Sequence, residues 1–94
     1  MRDAQSALLR AIAAEAGPGL LVREAHSTPW ASATFTGARH RLSLLLEHPA
    51  TDLAARLEGM SALAGHLLAD IAVSAQEGPD GTRLAIEALT IEDR

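Results

Sequence analysis

The chain has no cysteine, no tyrosine and, apart from Trp30 and Phe35, no aromatic residue. Without thiols, disulfide staples and thiolate metal centres are excluded, and such usage fits a reducing, cytoplasmic setting. So few aromatics leave almost no stacking platform for single-stranded nucleic acid. The formal net charge of −4 denies phosphates a basic surface, so no nucleic-acid partner is expected. Lysine is missing too: every basic residue is arginine, and with abundant alanine this points to a GC-rich bacterial genome rather than to a function. Long apolar runs are absent. The longest largely apolar stretches, residues 42–46 and 67–73, fall far short of the roughly 20 residues a bilayer crossing requires, so a soluble protein with no membrane partner is expected. Arg10 and Glu15 interrupt the first apolar stretch, which therefore does not read as a signal peptide.

What is present suits one small domain over residues 1–94. Ala4, Leu8, Ala11, Ile12 and Ala16 recur at three- and four-residue steps, the spacing of an amphipathic helix over 3–16. Asp3 stands at its N-cap, and Gly17-Pro18 supplies its stop. Residues 20–26 read as a strand ending before Ser27-Thr28-Pro29. Gly37-Ala38 suits a two-residue hairpin turn, pairing Phe35 with His40, Ala33 with Leu42 and Ala31 with Leu44 on an apolar face. Thr51 or Asp52 caps a short second helix carrying Leu53 and Leu57 and ending near Gly59. From His66, strict alternation through Leu67, Ala69, Ile71, Val73 and Ala75 leads into the turn signal Gly78-Pro79-Asp80-Gly81. Pairing Glu77 with Thr82 then aligns Ala75 with Leu84, Val73 with Ile86 and Ile71 with Ala88. The expected fold is α+β: a mainly antiparallel sheet of about five strands with two helices, in the order α-β-β-β-α-β-β.

That helix-strand-strand-strand-helix start superficially resembles a double-stranded-RNA-binding domain. The family holds phosphates with basic residues at the start of its last helix, whereas Pro49-Ala50-Thr51-Asp52-Leu53 offers none and two further strands follow. The resemblance is therefore topological only.

Catalytic and metal chemistry find little support. The four histidines, His26, His40, His48 and His66, lack HxH, HxxxH and HExxH spacing, so neither a metal nor another cofactor is expected. No GxSxG elbow or phosphate-cradling glycine loop occurs. Arg39, Arg41 and Arg83 are expected to share a sheet face with Glu47, Asp70 and Glu87, most simply as a solvated face of mixed charge. A cleft lined by Arg39, His40, Arg41 and His66, taking a small ligand or serving a small hydrolase, is the alternative. The leading expectation is a non-enzymatic interaction domain. Trp30 with Leu45 and Leu68 with Ile91, as cross-strand pairs beside Leu89, would gather on the face opposite the core. A contiguous apolar patch of that kind is either covered by a helix, which would leave one helix on each sheet face, or marks contacts, in which case the partner is expected to be a second copy of the chain or another protein.

Overall fold

The computed structural model describes residues 3–49, 52–63 and 65–92. Helix α1 (Ala4–Ala16) buries Ala7, Leu8, Ile12 and Ala16 on one stripe. Asp3 occupies its N-cap without a side-chain cap bond, and Gly17, at φ 77°, closes it by donating its N–H to the Ala13 carbonyl at 2.9 Å. Helix α2 (Leu53–Glu58) is a single short element anchored by buried Leu53 and Leu57. Its N-cap is Asp52, while Thr51 lies outside the described residues. Strands β1 (Leu20–Ala31), β2 (Thr36–Leu46), β3 (Ala62–Leu63), β4 (His66–Gly78) and β5 (Gly81–Glu92) form one antiparallel sheet in the order β1-β2-β5-β4-β3.

Both helices pack on the same sheet face. Leu8, Ile12, Leu53 and Leu57 join Leu42, Leu44 and Leu46 of β2, Leu84 and Ile86 of β5, and Leu68 and Ile71 of β4 in one core. Burying each such side chain contributes roughly 1.5–3 kcal/mol relative to exposure. The α+β class therefore stands, with order α-β-β-α-β-β-β. Only two strands precede α2, so even the topological likeness to a double-stranded-RNA-binding domain lapses. No helix among the described residues is long and apolar enough to cross a membrane.

The β4–β5 hairpin has the expected register, from Glu77↔Thr82 to Ile71↔Ala88. The first hairpin does not turn at Gly37-Ala38. Instead β1 continues past Pro29 to Ala31, and residues 32–35 make the connection, giving Ala25↔Leu42, Ser27↔His40 and Trp30↔Gly37. Ser32 builds this turn: its N–H donates to the Phe35 carbonyl at 2.8 Å, and its hydroxyl oxygen accepts the N–H groups of Thr34 and Phe35 at 3.3 and 3.0 Å. Pro29 is tolerated inside β1 because that strand is a sheet edge. Gly37 instead serves close approach, since a Cβ there would collide with the Thr90 carbonyl oxygen of β5.

A second correction lies in β4. The register shifts between Leu68 and Asp70, so Ala69 is bulged. Leu68 thus pairs with Thr90 and enters the core at 6% exposure, while Leu67, 45% exposed, takes the place beside Ile91.

Candidate functional site

Alternation along the paired strands fixes what the sheet shows on the face away from the helices. Its cross-strand rows read Trp30, Gly37, Ile91 and Leu67; then Thr28, Arg39, Leu89 and Asp70; then His26, Arg41, Glu87 and Ala72. Beyond them come Glu24, Ser43, Ala85 and Ser74, and finally Leu21, Leu45, Arg83 and Gln76. Glu47 lies past the end of β2, where its N–H donates to the Gly19 carbonyl at 3.0 Å.

Four of the five residues expected on this face are there. Trp30, Leu45, Leu89 and Ile91 are half-buried, whereas Leu68 is in the core. They do not form one patch, because the expected Trp30–Leu45 and Leu68–Ile91 pairs are absent. Trp30 pairs with Gly37, and Gly37 lies eight residues from Leu45 along β2, about 26 Å of strand. One apolar end holds Trp30, Leu67, Leu89 and Ile91; the other holds Leu45 and the exposed Leu21. The indole nitrogen of Trp30 is covered by protein and has no acceptor among the described residues.

Between the apolar ends the face is charged and hollow. A depression of about 600 Å³ is bordered by His26, Thr28, Arg39, Arg41, Asp70 and Glu87. Arg41 pairs with Glu87 at 3.6 Å, and His26 contacts Glu24 at 3.3 Å. All four side chains are well exposed, so each contact contributes little, roughly 0–1 kcal/mol. Arg39 and Asp70, on either side of Leu89, lie two strands apart, about 10 Å at the ordinary strand spacing.

The proposed Arg39, His40, Arg41 and His66 cleft is divided by the sheet. Arg39 and Arg41 project on the open face, while His40 and His66 are buried on the helix side, at 3% and 8% exposure. His40 also borders the depression, but both of its ring nitrogens are engaged. Gln5 Nε2 donates to Ser27 Oγ at 2.8 Å, the Ser27 hydroxyl donates to His40 Nδ1 at 2.6 Å, and His40 Nε2–H donates to Thr90 Oγ1 at 2.9 Å. Thr90 passes its own proton towards the Ala38 carbonyl at 3.4 Å. Burial holds the His40 pKa below 6.5; His66 lowers it further, while Asp3 opposes the shift. The result is a neutral imidazole tied into the fold.

A serine aimed at a neutral histidine has the make-up of a nucleophile–base dyad, and sequence reasoning missed it because Ser27 and His40 meet only through the true β1–β2 register. Ser27, however, lines neither the charged depression nor the groove between α1 and β1 around Leu9, Ala13, Pro18 and Val22. The arrangement is a polar link between α1, β1, β2 and β5, buried at its His40–Thr90 end and exposed at Ser27. Among the described residues no three histidine, aspartate or glutamate side chains cluster in a way that could hold a metal ion. Comparison with protein-family models, curated proteins and solved structures gives no match.

Proposed function

We propose that this chain is a non-enzymatic interaction module that associates with a second copy of itself through the sheet face opposite its helices. The observation that carries the reading is the one-sided placement of α1 and α2, which leaves the other face of the five-stranded sheet uncovered. From strand spacing and rise, that face has a footprint of roughly 700 Å², close to the roughly 800 Å² per partner of a standard specific interface. The molecule measures 46 × 21 × 19 Å and exposes 5808 Å², against about 5200 Å² for a compact monomer of its mass. The surplus surface suits a subunit better than a solitary globule.

Ile91→Glu tests the proposal, because Ile91 is half-buried on the open face rather than in the core. Wild type should be at least dimeric at micromolar concentration in sedimentation velocity, with a Tm that falls on dilution. The variant should be monomeric because its charge would be desolvated in the contact. A monomeric wild type whose unfolding does not change across a hundredfold dilution overturns the reading.

Arg39 and Arg41 at the depression support a second reading, a small anionic ligand held by arginine forks. Glu87 already engages Arg41, and Asp70 stands on the opposite wall, which weakens the site for an anion.

A further inference from the structure

Arg39 and Asp70 flank the central strand of the open face, and this placement selects how a second copy would sit. Arg39 and Arg41 lie on β2 and Asp70 lies on β4, with Arg83 and Glu87 on β5 between them and Glu24 beside His26 on β1. Because β5 is the middle strand of the sheet order, the arginines of β2 and the aspartate of β4 stand on opposite sides of it. We propose that the homodimer is built about a two-fold axis parallel to β5, so that the Arg39 side of each sheet covers the Asp70 side of the other. The inference rests on the self-association proposed above.

A two-fold dimer must present the same patch from both copies. Any two-fold axis in the plane between the copies would bring these faces together, and the axes across and along the strands are the two limiting cases. An axis across the strands lays β2 on β2 and sets Arg39 and Arg41 against their own copies, like charge on like charge. An axis along β5 lays β2 on β4 instead, so that Arg39 meets the partner's Asp70 twice, once on each side, with Leu89 against Leu89 between them. In their own sheet Arg39 and Asp70 have neither an ion pair nor a side-chain hydrogen bond among the described residues. Packed sheets stand about 10 Å apart, a gap that an arginine and an aspartate bridge from opposite sides. Like Arg83, Glu87 lies on the axis strand and faces its own copy. Its charge is already offset by Arg41 at 3.6 Å, and the depression leaves that pair room for water.

Charge reversal separates this geometry from any other mode of association. Arg39→Asp and Asp70→Arg each change an exposed side chain, so far-ultraviolet circular dichroism should remain that of the wild type. Each variant alone should self-associate at least about tenfold more weakly in sedimentation equilibrium, because both contacts become like-charged. Mixed one to one, the two variants should form a heterodimer, since every contact is again between opposite charges. The double variant should recover the homodimer. A wild type that is monomeric sinks the self-association reading and this inference with it. A dimeric wild type whose single variants stay equally dimeric, or whose mixture fails to recover association, overturns the two-fold arrangement and leaves the self-association reading intact.

Discussion

Acid should weaken this fold through His40. Its ring is 3% exposed and bonded at both nitrogens, with burial holding its pKa below 6.5. The unfolded chain therefore takes up a proton near pH 6.5 that the folded chain refuses. Stability from this group is complete above about pH 6.5 and is lost as pH falls towards the folded pKa, at up to about 1.4 kcal/mol per pH unit. Below the folded pKa no further loss comes from His40. The structural cost is specific. A proton on Nδ1 turns that atom from acceptor to donor, and Ser27 Oγ, already accepting from Gln5, loses the acceptor for its own hydrogen. Urea unfolding from about pH 8 to about pH 5 should show the decline, and subtracting the same series for His40→Asn isolates the His40 contribution from the other titrating groups. NMR titration of the His40 ring provides an independent check. A folded-state pKa at or above 6.5, or a wild-type-minus-variant difference that stays flat with pH, would refute the reasoning.

Two further outcomes test the packing. Leu8 is fully buried against the sheet, so Leu8→Ala should cost about 2–5 kcal/mol in urea unfolding, and a loss below about 0.5 kcal/mol would show that α1 is not docked there. Gly37→Ala should destabilise by about 1–3 kcal/mol, since its methyl meets the Thr90 backbone rather than a side chain that can move; a neutral result would show that β2 and β5 do not approach this closely.

How much could be read from the sequence depended on how well burial separates the two faces of each strand. In β5, Leu84, Ile86, Ala88 and Thr90 are buried and alternate with more exposed residues, so alignment with Ile71 and Val73 had one apolar solution and the register followed. In β1 most residues are exposed on both faces. Hydrophobicity consequently carried no register there, and Ala31, Ala33 and Phe35 offered an equally clean but incorrect alternation. Gly37 added to the error, because a glycine needed for close approach looks in sequence like one needed for a turn. At Leu67-Leu68 two adjacent leucines conceal which one faces the core, and only the bulge at Ala69 decides it. The shared face of Arg39, Arg41, Asp70 and Glu87 was legible because it needed only strand alternation. The Ser27–His40 contact needed the lost register as well.

The sheet's edges favour face-to-face association over strand addition. An exposed edge invites another strand unless its backbone is irregular, occupied or charged. On β1 the register breaks at Arg23, between Val22 and Glu24, and Pro29 offers no N–H to an incoming strand. On the other side β3 covers only the start of β4, where Leu67 and His66 pair with Ala62 and Leu63. Beyond it the Leu68 N–H is taken by the Ser61 carbonyl at 3.0 Å, and the Val73 N–H by the Glu58 carboxylate at 2.9 Å. A strand docking along β4 would have to displace that carboxylate and recover its hydration, while one docking along β1 would lose its ladder at both Arg23 and Pro29. The open face asks for no backbone pairing at all: Leu89 and Ile91 stand on the central strand, with Arg39 on one side and Asp70 on the other. For a second copy of this chain, contact through that face therefore leaves fewer backbone groups unsatisfied than extension of the sheet.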